Sequence, residues 1–248
     1  MNDLTYAPTS LCRYAVYLIP SGPWSRLGQR WLGRDAGTGE RIARAGIDDE
    51  AAIEAWTEAP RLYGLHATLK PPFRLAQGVT FSDLDESLRR LASAKSSFEI
   101  PLQLTRLRGF LAWCVDGAMP AALERLANAC VADLDHFRAP PSAEETVRRL
   151  QAGLTPAQAH NLQRWGYPYV FDTFVFHVTL TGHLDEIAIA AASSALLRIA
   201  RADEIAVLHC GSAMPVTDIG LFVQAAPGLP FVTARRYGFD GSVRDGRL

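Results

Sequence analysis

The sequence predicts a fold of mixed strands and helices arranged in two similar lobes. The pattern His-x-Thr-Leu occurs twice, in the segments LHATL at 65–69 and FHVTL at 176–180. Around each copy the predicted elements follow the same order: a strand that carries the motif, a helix, and two more strands. Such a duplication predicts two lobes related by an approximate two-fold axis, with the matching strands meeting in the cleft between them.

In the first half of the chain, proline and glycine separate predicted strands from short helices. Aromatic and β-branched residues predict a first strand that ends at Pro20, and the first motif strand ends at Pro71 because proline cannot donate to a ladder. Ser82 with Asp85 predicts the start of a helix. The predicted elements are a strand over 13–19, helices over 24–32 and 48–57, the motif strand over 63–70, a helix from 82, and strands over 98–107 and 110–115.

The second half follows a predicted helical connector. An alanine- and leucine-rich periodic pattern predicts a helix over 120–137. Ser142 with Glu145, and Thr155 with Gln158, match the capping boxes of two shorter helices. The elements predicted beyond the connector are the motif strand over 170–181, a helix over 184–201, strands over 204–210 and 218–225, and a loose polar tail over 240–248.

Length and composition allow one large domain or two lobes. With 248 residues, 48% of them hydrophobic, the chain can bury a large core. We predict a single two-lobed domain over 1–248, with a first half over 13–117, a helical connector over 118–168 and a second half over 169–239. The start lacks a basic segment followed by an apolar run, and no stretch approaches the roughly 20 apolar residues that span a bilayer. We therefore predict no membrane association and a cytoplasmic location.

Charge and cysteine content narrow the classes of partner. The net charge of −1 gives no electrostatic footprint for long nucleic acid, although a local basic groove would permit it, so a small anionic substrate is favoured. The four cysteines are scattered, without the paired spacing of a zinc site, which predicts reduced thiols and no structural zinc. Nothing in the sequence indicates the oligomeric state.

The two motifs place reactive side chains on one face of each strand. Because side chains alternate along a strand, His66 and Thr68 point one way while their apolar neighbours point the other, and the same holds for His177 and Thr179. Two such strands facing one groove would offer two imidazoles and two hydroxyls. One imidazole can remove a proton, the other can supply one, and the hydroxyls can donate hydrogen bonds to phosphate oxygens. This set of groups suits a phosphodiester substrate.

Three further residues are predicted to contact the substrate. Lys70 and Thr181 each lie two places beyond a motif threonine, and so share its face if the strand continues. Tyr17 shares a face of the first strand with Arg13, which brings both within reach of a ligand. The alternatives are a solvated lysine at a strand end, a packed tyrosine and a surface arginine.

The sequence gives less support to three other roles of the motif histidines: structural residues, metal ligands or members of a catalytic triad. A lone histidine on a half-buried strand is usually structural, but here both copies precede Leu and open the same series of elements. A metal site is the main chemical rival, yet no carboxylate accompanies either motif and His-Glu-x-x-His does not occur, so catalysis without metal or cofactor is predicted. A Ser-His-Asp triad stays open, although no Gly-x-Ser-x-Gly elbow is present. The remaining histidines, predicted as surface or core residues, are His136, His160, His183 and His209.

Two His-x-Thr motifs, one in each half, resemble the 2H phosphoesterase superfamily, which includes LigT-like RNA ligases and cyclic phosphodiesterases. Longer strings are similar to the branch found among bacterial phosphonate-utilisation genes. They are YGLHATLK at 63–70, FRAP at 137–140, WGYPYV at 165–170 and FHVTLTG at 176–182.

This resemblance implies a bilobal α+β fold, LigT-like, with two pseudo-symmetric antiparallel sheets lining a central cleft and helices outside. It implies that the motif histidines are the acid–base pair and that the motif threonines bind phosphate. Two positions depart from the family pattern: Leu65 stands where Phe is usual, and Val175 where Arg is usual. A cation expected near the phosphate is therefore missing at 175.

The predicted function is hydrolysis or transesterification of a cyclic phosphate or a 2′-linked phosphodiester, in a nucleotide or sugar phosphate. The link to phosphonate metabolism follows from the resemblance. One alternative is a module that binds a nucleotide or phosphorylated sugar without turnover. Another is an RNA end-processing factor, against which the near-neutral charge counts.

Overall fold

A computed structural model describes residues 11–44, 49–150, 153–202 and 213–246. Strands and helices alternate along the chain, with two short 3₁₀ turns at Asp135–Phe137 and Phe171–Thr173. The strands are β1 (Arg13–Leu18), β2 (Ala67–Phe73), β3 (Phe98–Leu107), β4 (Phe110–Val115), β5 (His177–Thr179), β6 (Ala213–Val216), β7 (Asp218–Gln224), β8 (Val232–Gly238) and β9 (Val243–Asp245). The helices are α1 (Gly22–Leu32), α2 (Glu50–Tyr63), α3 (Phe81–Ser93), α4 (Ala121–Ala132), α5 (Ala143–Leu150), α6 (Pro156–Trp165) and α7 (Glu186–Ala202).

The strands form an antiparallel sheet in the order β6-β3-β4-β5-β2-β1-β7-β8-β9. The predicted α+β class with antiparallel strands is confirmed. Where two sheets were expected, the strands join into one, and the joint between its two sides is a single residue pair, Ala67 with Val178, from β2 and β5. The two motif strands therefore meet at the centre of the sheet, as the duplication predicted.

Strands from both ends of the chain share each side of this sheet. β1 pairs with β7, and β3 pairs with β6, so early and late strands are interleaved. The predicted halves 13–117 and 169–239 therefore do not coincide with the two sides of the sheet. A sequence pattern fixes which face of a strand is apolar, but it does not fix which distant strand becomes its neighbour.

The sheet is buried on both faces near its centre. Alternate residues of β1 belong to different clusters: Tyr14 and Val16 join the large core, while Ala15 and Tyr17 join a smaller cluster on the opposite face. The smaller cluster is completed by Ile19, Ala36, Phe222 and Phe231. It forms the apolar base on which the polar side chains of the two motifs rest.

Helix α1 holds the second motif strand in place. The indole Nε1 of Trp31 donates a hydrogen bond of 2.8 Å to the carbonyl of Leu180, just beyond β5. Trp24 packs edge-on against Trp113, with ring centroids 5.1 Å apart, on the same side of the sheet. Each indole is fully buried and therefore contributes a large area of apolar contact to the core.

Helix α2 runs through Pro60, although the sequence predicted that it would end before that proline. Proline has no N–H, so the carbonyl of Trp56 loses its usual partner within the helix. That carbonyl accepts a hydrogen bond of 2.8 Å from the N–H of Gly182 instead. The break in the helix ladder thus ties α2 to the chain that follows the second motif.

Two of the three predicted helix caps are confirmed. Ser142 with Glu145 caps α5, and Thr155 with Gln158 caps α6. The prediction for α3 is wrong by two residues, because Thr80 is the N-cap and Asp83 completes its capping box. Two capping-box patterns overlap at this point in the sequence: Thr80 with Asp83, and Ser82 with Asp85.

Several strand predictions need correction. The second motif strand, predicted over 170–181, is confined to His177–Thr179, because a 3₁₀ turn precedes it. The tail over 240–248 was predicted to be loose, but it contains β9, which pairs with β8 and is held by an ion pair of 2.7 Å between Arg235 and Asp245. Strand β8 was not predicted at all, and the strand predicted over 204–210 lies outside the described residues. In the described part of the chain, no helix combines the length and apolar character that crossing a membrane requires.

Candidate active site

The two motifs lie side by side, with their polar residues on one face. Because Ala67 pairs with Val178, the residues that flank this pair point to the opposite face. Continuing the register places His66 across from Thr179 and Thr68 across from His177, while the two histidines stand on a diagonal. Diagonal neighbours in an antiparallel pair are about 7–8 Å apart, so the two imidazoles start from neighbouring points on one face of the sheet.

Both imidazoles are oriented in the same way. Nδ1 of His66 lies 2.9 Å from the carbonyl of Gly64, and Nδ1 of His177 lies 2.8 Å from the carbonyl of Val175. A carbonyl oxygen can only accept, so each Nδ1 carries the proton of the neutral ring. Nε2 is left in each ring as the atom that takes up or gives a proton.

The ring of His66 is enclosed by aromatic side chains. Tyr17 stacks on it with centroids 3.9 Å apart, and Tyr63 lies 5.9 Å away. Burial lowers the pKa of His66 to about 4, against a partial increase from its bond to Gly64 and a further decrease from the charge of His177. Neutral His66 is therefore the form present at neutral pH, and that form can accept a proton.

His177 has a more open position. It is partly exposed, and its ring lies 5.9 Å from that of Phe110. Burial lowers its pKa, its bond to Val175 raises it, and the nearby charge of Arg108 lowers it further. Its pKa therefore lies below the ordinary histidine value in the absence of a bound anion.

A cleft of about 440 Å³ opens beside these residues. His66, Thr68, Thr179, Thr181 and Tyr17 line it, and His177 lies next to it beside Phe110. The other lining residues come from β1, α2, the end of β2, α5 and the loops near β4 and β5. They are Arg13, Ala59, Pro60, Tyr63, Pro71, Pro72, Phe110, Arg149, Tyr167, Gly182 and His183.

Two predicted contact residues reach this cleft in different ways. Tyr17 is fully buried, and its hydroxyl has no hydrogen-bond partner within the described part of the chain. Thr181 is also fully buried, but its hydroxyl oxygen accepts a hydrogen bond of 2.9 Å from the N–H of Leu111. Tyr17 therefore offers an unused donor, whereas Thr181 mainly holds β4 against the end of β5.

The expectation that Lys70 shares the face of Thr68 is wrong. The pairing of β1 with β2 shifts register between Val16–Lys70 and Tyr17–Thr68, so a bulge interrupts the alternation. Lys70 is 2% exposed and points into the core, where Nζ lies 3.2 Å from the carbonyl of Val131. Burial lowers the pKa of Lys70 to about 8. This lysine does not face the cleft.

Three arginines bring positive charge to the site or its surroundings. Arg13 and Arg149 line the cleft. Arg108, in the turn between β3 and β4, has φ of 47° and lies 5.2 Å from the centroid of the Tyr169 ring. Its charge acts on His177, so Arg108 supplies positive charge close to that histidine. The sequence placed Arg13 within reach of a ligand through the face that it shares with Tyr17, but no local pattern pointed to Arg149 or Arg108.

A metal site would need a cluster of suitable ligands. No group of three or more His, Cys, Asp or Glu side chains with such an arrangement occurs among the described residues. His183 lines the cleft, but its ring packs edge-on against Phe110 at 5.5 Å.

A family model described as "Protein of unknown function (DUF1045)" matches residues 68–232. The chain belongs to the DUF1045 family. The match begins at the threonine of the first motif and includes the whole of the second motif.

Curated relatives of the DUF1045 chain include two proteins named Ribose 1,5-bisphosphate phosphokinase PhnN. The one from Janthinobacterium sp. (strain Marseille) is 34% identical over 239 residues, which cover 94% of this chain and 52% of that protein. The one from Laribacter hongkongensis (strain HLHK9) is 38% identical over 229 residues, which cover 90% of this chain and 51% of that protein. The DUF1045 chain thus spans about half the length of the curated relatives it matches.

Similar solved structures include Escherichia coli LigT complexed with NADP⁺, with a TM-score of 0.42 and 13% identity over 93% of this chain and 98% of that one. A protein described as phosphoesterase has a TM-score of 0.38 and 12% identity, over 91% and 97% of the two chains. Usb1 of Kluyveromyces marxianus has a TM-score of 0.36 and 10% identity, over 91% and 98%. LigT and a phosphoesterase are thus among the structures that the DUF1045 chain resembles, as its two motifs predicted. Because these TM-scores lie below 0.5, its function has to follow from its own residues.

Proposed function

We propose that this chain is a metal-independent phosphoesterase that acts on a cyclic phosphate or a 2′-linked phosphodiester of a nucleotide or sugar phosphate. One observation carries the proposal: two imidazoles on neighbouring strands each have Nδ1 bonded to a carbonyl and Nε2 left for proton transfer. Two such groups on diagonal neighbours of one sheet face can serve both sides of one phosphoryl group.

The two histidines take different roles in this proposal. His66, whose pKa is lowered to about 4, is neutral and accepts the proton of the attacking water through Nε2. The water oxygen forms a bond to phosphorus while the bond from phosphorus to the departing oxygen breaks. His177, in its protonated form, gives its proton to that oxygen, so the products are a phosphomonoester and a free hydroxyl. Proton exchange with solvent then restores both rings.

The hydroxyl groups of the cleft stabilise the charge that develops on the phosphate. Thr68 stands across from His177, and Thr179 stands across from His66, so each threonine lies beside the phosphate position. Donors that are fixed in advance are worth more in the transition state than mobile water. Tyr17 supports this arrangement from beneath, because its buried ring is stacked on that of His66 with centroids 3.9 Å apart.

The name of the curated relatives concerns phosphorylated ribose, which supports a small phosphorylated substrate in a phosphonate-related context. It does not favour a phosphokinase activity for this chain. A P-loop needs the pair Gly-Lys, and the two lysines here, Lys70 and Lys95, follow Leu and Ala. Because this chain covers about half of those proteins, we assign the phosphoesterase function to this part alone.

The test is release of phosphomonoester from 2′,3′-cyclic nucleotides and ribose cyclic phosphates in the presence of a chelator, measured as kcat/KM against pH. We expect kcat/KM to rise with pH as His66 loses its proton near pH 4. We expect it to fall again as His177 loses its proton, at a pH below the ordinary value of 6.5, because burial lowers its pKa. The profile is therefore a bell with its maximum on the acid side of neutrality. The alkaline limb of kcat should lie higher, since a bound phosphate anion favours protonated His177.

Other outcomes would assign a different function. Saturable binding of a cyclic phosphate with no product would indicate a binding module. Activity abolished by the chelator would contradict the metal-free mechanism. Preference for RNA oligomers, with binding that weakens steeply as salt is added, would indicate an RNA end-processing factor.

A further inference from the structure

A second hollow adjoins the cleft, and four of its ten lining residues are arginines. It shares Arg13, Pro72 and Arg149 with the cleft, so these residues border both spaces. The side chains that it adds include two more arginines, Arg74 and Arg138, and one carboxylate, Glu145. Four guanidinium groups and one carboxylate give this end of the cleft an excess of positive charge.

The position of this arginine end follows from the strands that form the cleft. Arg13 and Tyr17 lie four residues apart on the same face of β1, which separates their Cα atoms by about 13 Å. Arg74 follows the last residue of β2, and β2 pairs with β1. The floor of the cleft therefore leads from the His66 ring, beneath which Tyr17 is stacked, towards Arg13 and Arg74.

The guanidinium groups are held in place by contacts that fix their planes. Nε of Arg13 donates a hydrogen bond of 2.7 Å to Gln224, and its guanidinium lies 5.7 Å from the centroid of the Phe231 ring. The guanidinium of Arg149 lies 5.7 Å from the centroid of the Tyr167 ring. Stacking on an aromatic ring and side-on hydrogen bonds prepare arginine for a planar, two-point contact with phosphate.

The carboxylate does not cancel this charge. Glu145 binds Arg74 through both oxygens, at 3.2 and 3.1 Å. Arg138 is paired with Asp135, whose Oδ1 lies 2.9 Å from Nε. Arg74 and Arg138, which line the hollow but not the cleft, are therefore paired with carboxylates. Arg13 and Arg149 line both spaces and add positive charge to each.

We propose that this end of the cleft binds a phosphomonoester group of the substrate, at the same time as the two histidines hold the reacting phosphodiester. The inference rests on the proposed function and narrows its substrate class. The substrate is then a sugar that carries a cyclic phosphate at one end and a second phosphate at the other. Arg13 and Tyr17, on which the His66 ring is stacked, have Cα atoms about 13 Å apart, so the second phosphate group binds at a separate point of the same cleft.

The test compares two substrates that differ only in this group: ribose 1,2-cyclic phosphate with and without a 5-phosphate. We expect the wild-type protein to prefer the 5-phosphorylated compound by at least about tenfold in kcat/KM, since hydrogen bonds to charged groups contribute that much or more. In Arg13→Gln and Arg149→Gln the ratio of the two kcat/KM values should fall about tenfold to a hundredfold. Arg13→Lys keeps the charge but loses the planar two-point contact. Its ratio of the two kcat/KM values should therefore lie between those of the wild type and Arg13→Gln.

Arg90→Gln is the matched control. Arg90 is highly exposed on α3 and pairs with Glu86 away from the cleft, so its replacement should leave the ratio unchanged. A ratio near one in the wild type, or one that Arg13→Gln and Arg149→Gln leave unchanged, would overturn the inference while the turnover itself would uphold the proposed function.

A binding measurement keeps the inference testable if neither compound is turned over. Ribose 5-phosphate has no reacting diester, so the change in its Kd when an arginine is replaced, measured by calorimetry, reports the contribution of the arginine end. We expect Arg13→Gln to weaken this binding at least about tenfold and Arg90→Gln to leave it unchanged. Equal affinities in all proteins would overturn the inference. Thermal melts of each variant establish that it is folded.

Discussion

Replacement of His66 or His177 by alanine is expected to lower kcat for cyclic phosphate hydrolysis by about a hundredfold to ten-thousandfold, the usual contribution of one proton-transfer group. Each variant keeps the cleft and the hydroxyl donors but loses one of the two Nε2 atoms. Because both histidines act in the same step, the double variant should be little worse than the poorer single variant.

His160→Ala is the matched control for this series. His160 is exposed on α6, away from the two motif strands, so its replacement should leave kcat unchanged. Steady-state kinetics and thermal melts of the wild type and the four variants give the comparison. A loss of less than about tenfold in both His66→Ala and His177→Ala would remove the acid–base roles.

The second large effect concerns the glycine that holds His66. Gly64→Ala is expected to lower the free energy of unfolding by roughly 2–4 kcal/mol, because of backbone strain and overpacking together. Gly64 has φ of 77° and ψ of 176°, a conformation that other residues rarely adopt. A Cβ placed there would lie 2.4 Å from the Cβ of Ala36.

The same substitution should also reduce activity. The carbonyl of Gly64 holds Nδ1 of His66 at 2.9 Å, so a shift of the backbone moves the imidazole. A displacement of about 1 Å in a catalytic group can cost about a hundredfold in rate. We expect kcat to fall about tenfold to a hundredfold, with the loss persisting at temperatures where the variant is fully folded.

Gly78→Ala separates the effect of backbone strain from the effect of overpacking. Gly78 has a similar φ of 84°, but a Cβ there would meet nothing within 4 Å. It should therefore cost only about 1–2 kcal/mol of stability and leave kcat unchanged. Urea unfolding and steady-state kinetics measure both variants. Equal losses of stability and of kcat in Gly64→Ala and Gly78→Ala would contradict the role of Gly64.

Local patterns in the sequence were enough to predict which motif residues share a face, and two helix caps, but not the strand bounds, since β2 continues through Pro71 and Pro72 to Phe73. Alternation alone placed His66 with Thr68, and His177 with Thr179, on common faces, because the side-chain period of a strand is two. The boxes at Ser142 and Thr155 worked because every group involved lies within four residues.

Predictions failed where a distant partner decides the outcome. The register shift in β2 turns Lys70 into the core, and only the pairing with β1 reveals it. Helix α2 continues through Pro60 because Gly182 supplies the hydrogen bond that the proline cannot. The charge near His177 comes from Arg108, in a hairpin remote in sequence from either motif. No local sequence pattern predicts any of these three features.

The central claim is that both imidazoles contact the same bound phosphoryl group, and ¹⁵N NMR of the histidine side chains during titration with inorganic phosphate tests it most directly. The account predicts that the Nε2 signals of His66 and His177 move together with a single Kd, while those of His136 and His160 stay in place. It also predicts that Nδ1 of both rings stays protonated throughout, because each is bonded to a carbonyl. Movement of only one of the two Nε2 signals, or two different Kd values, would contradict it.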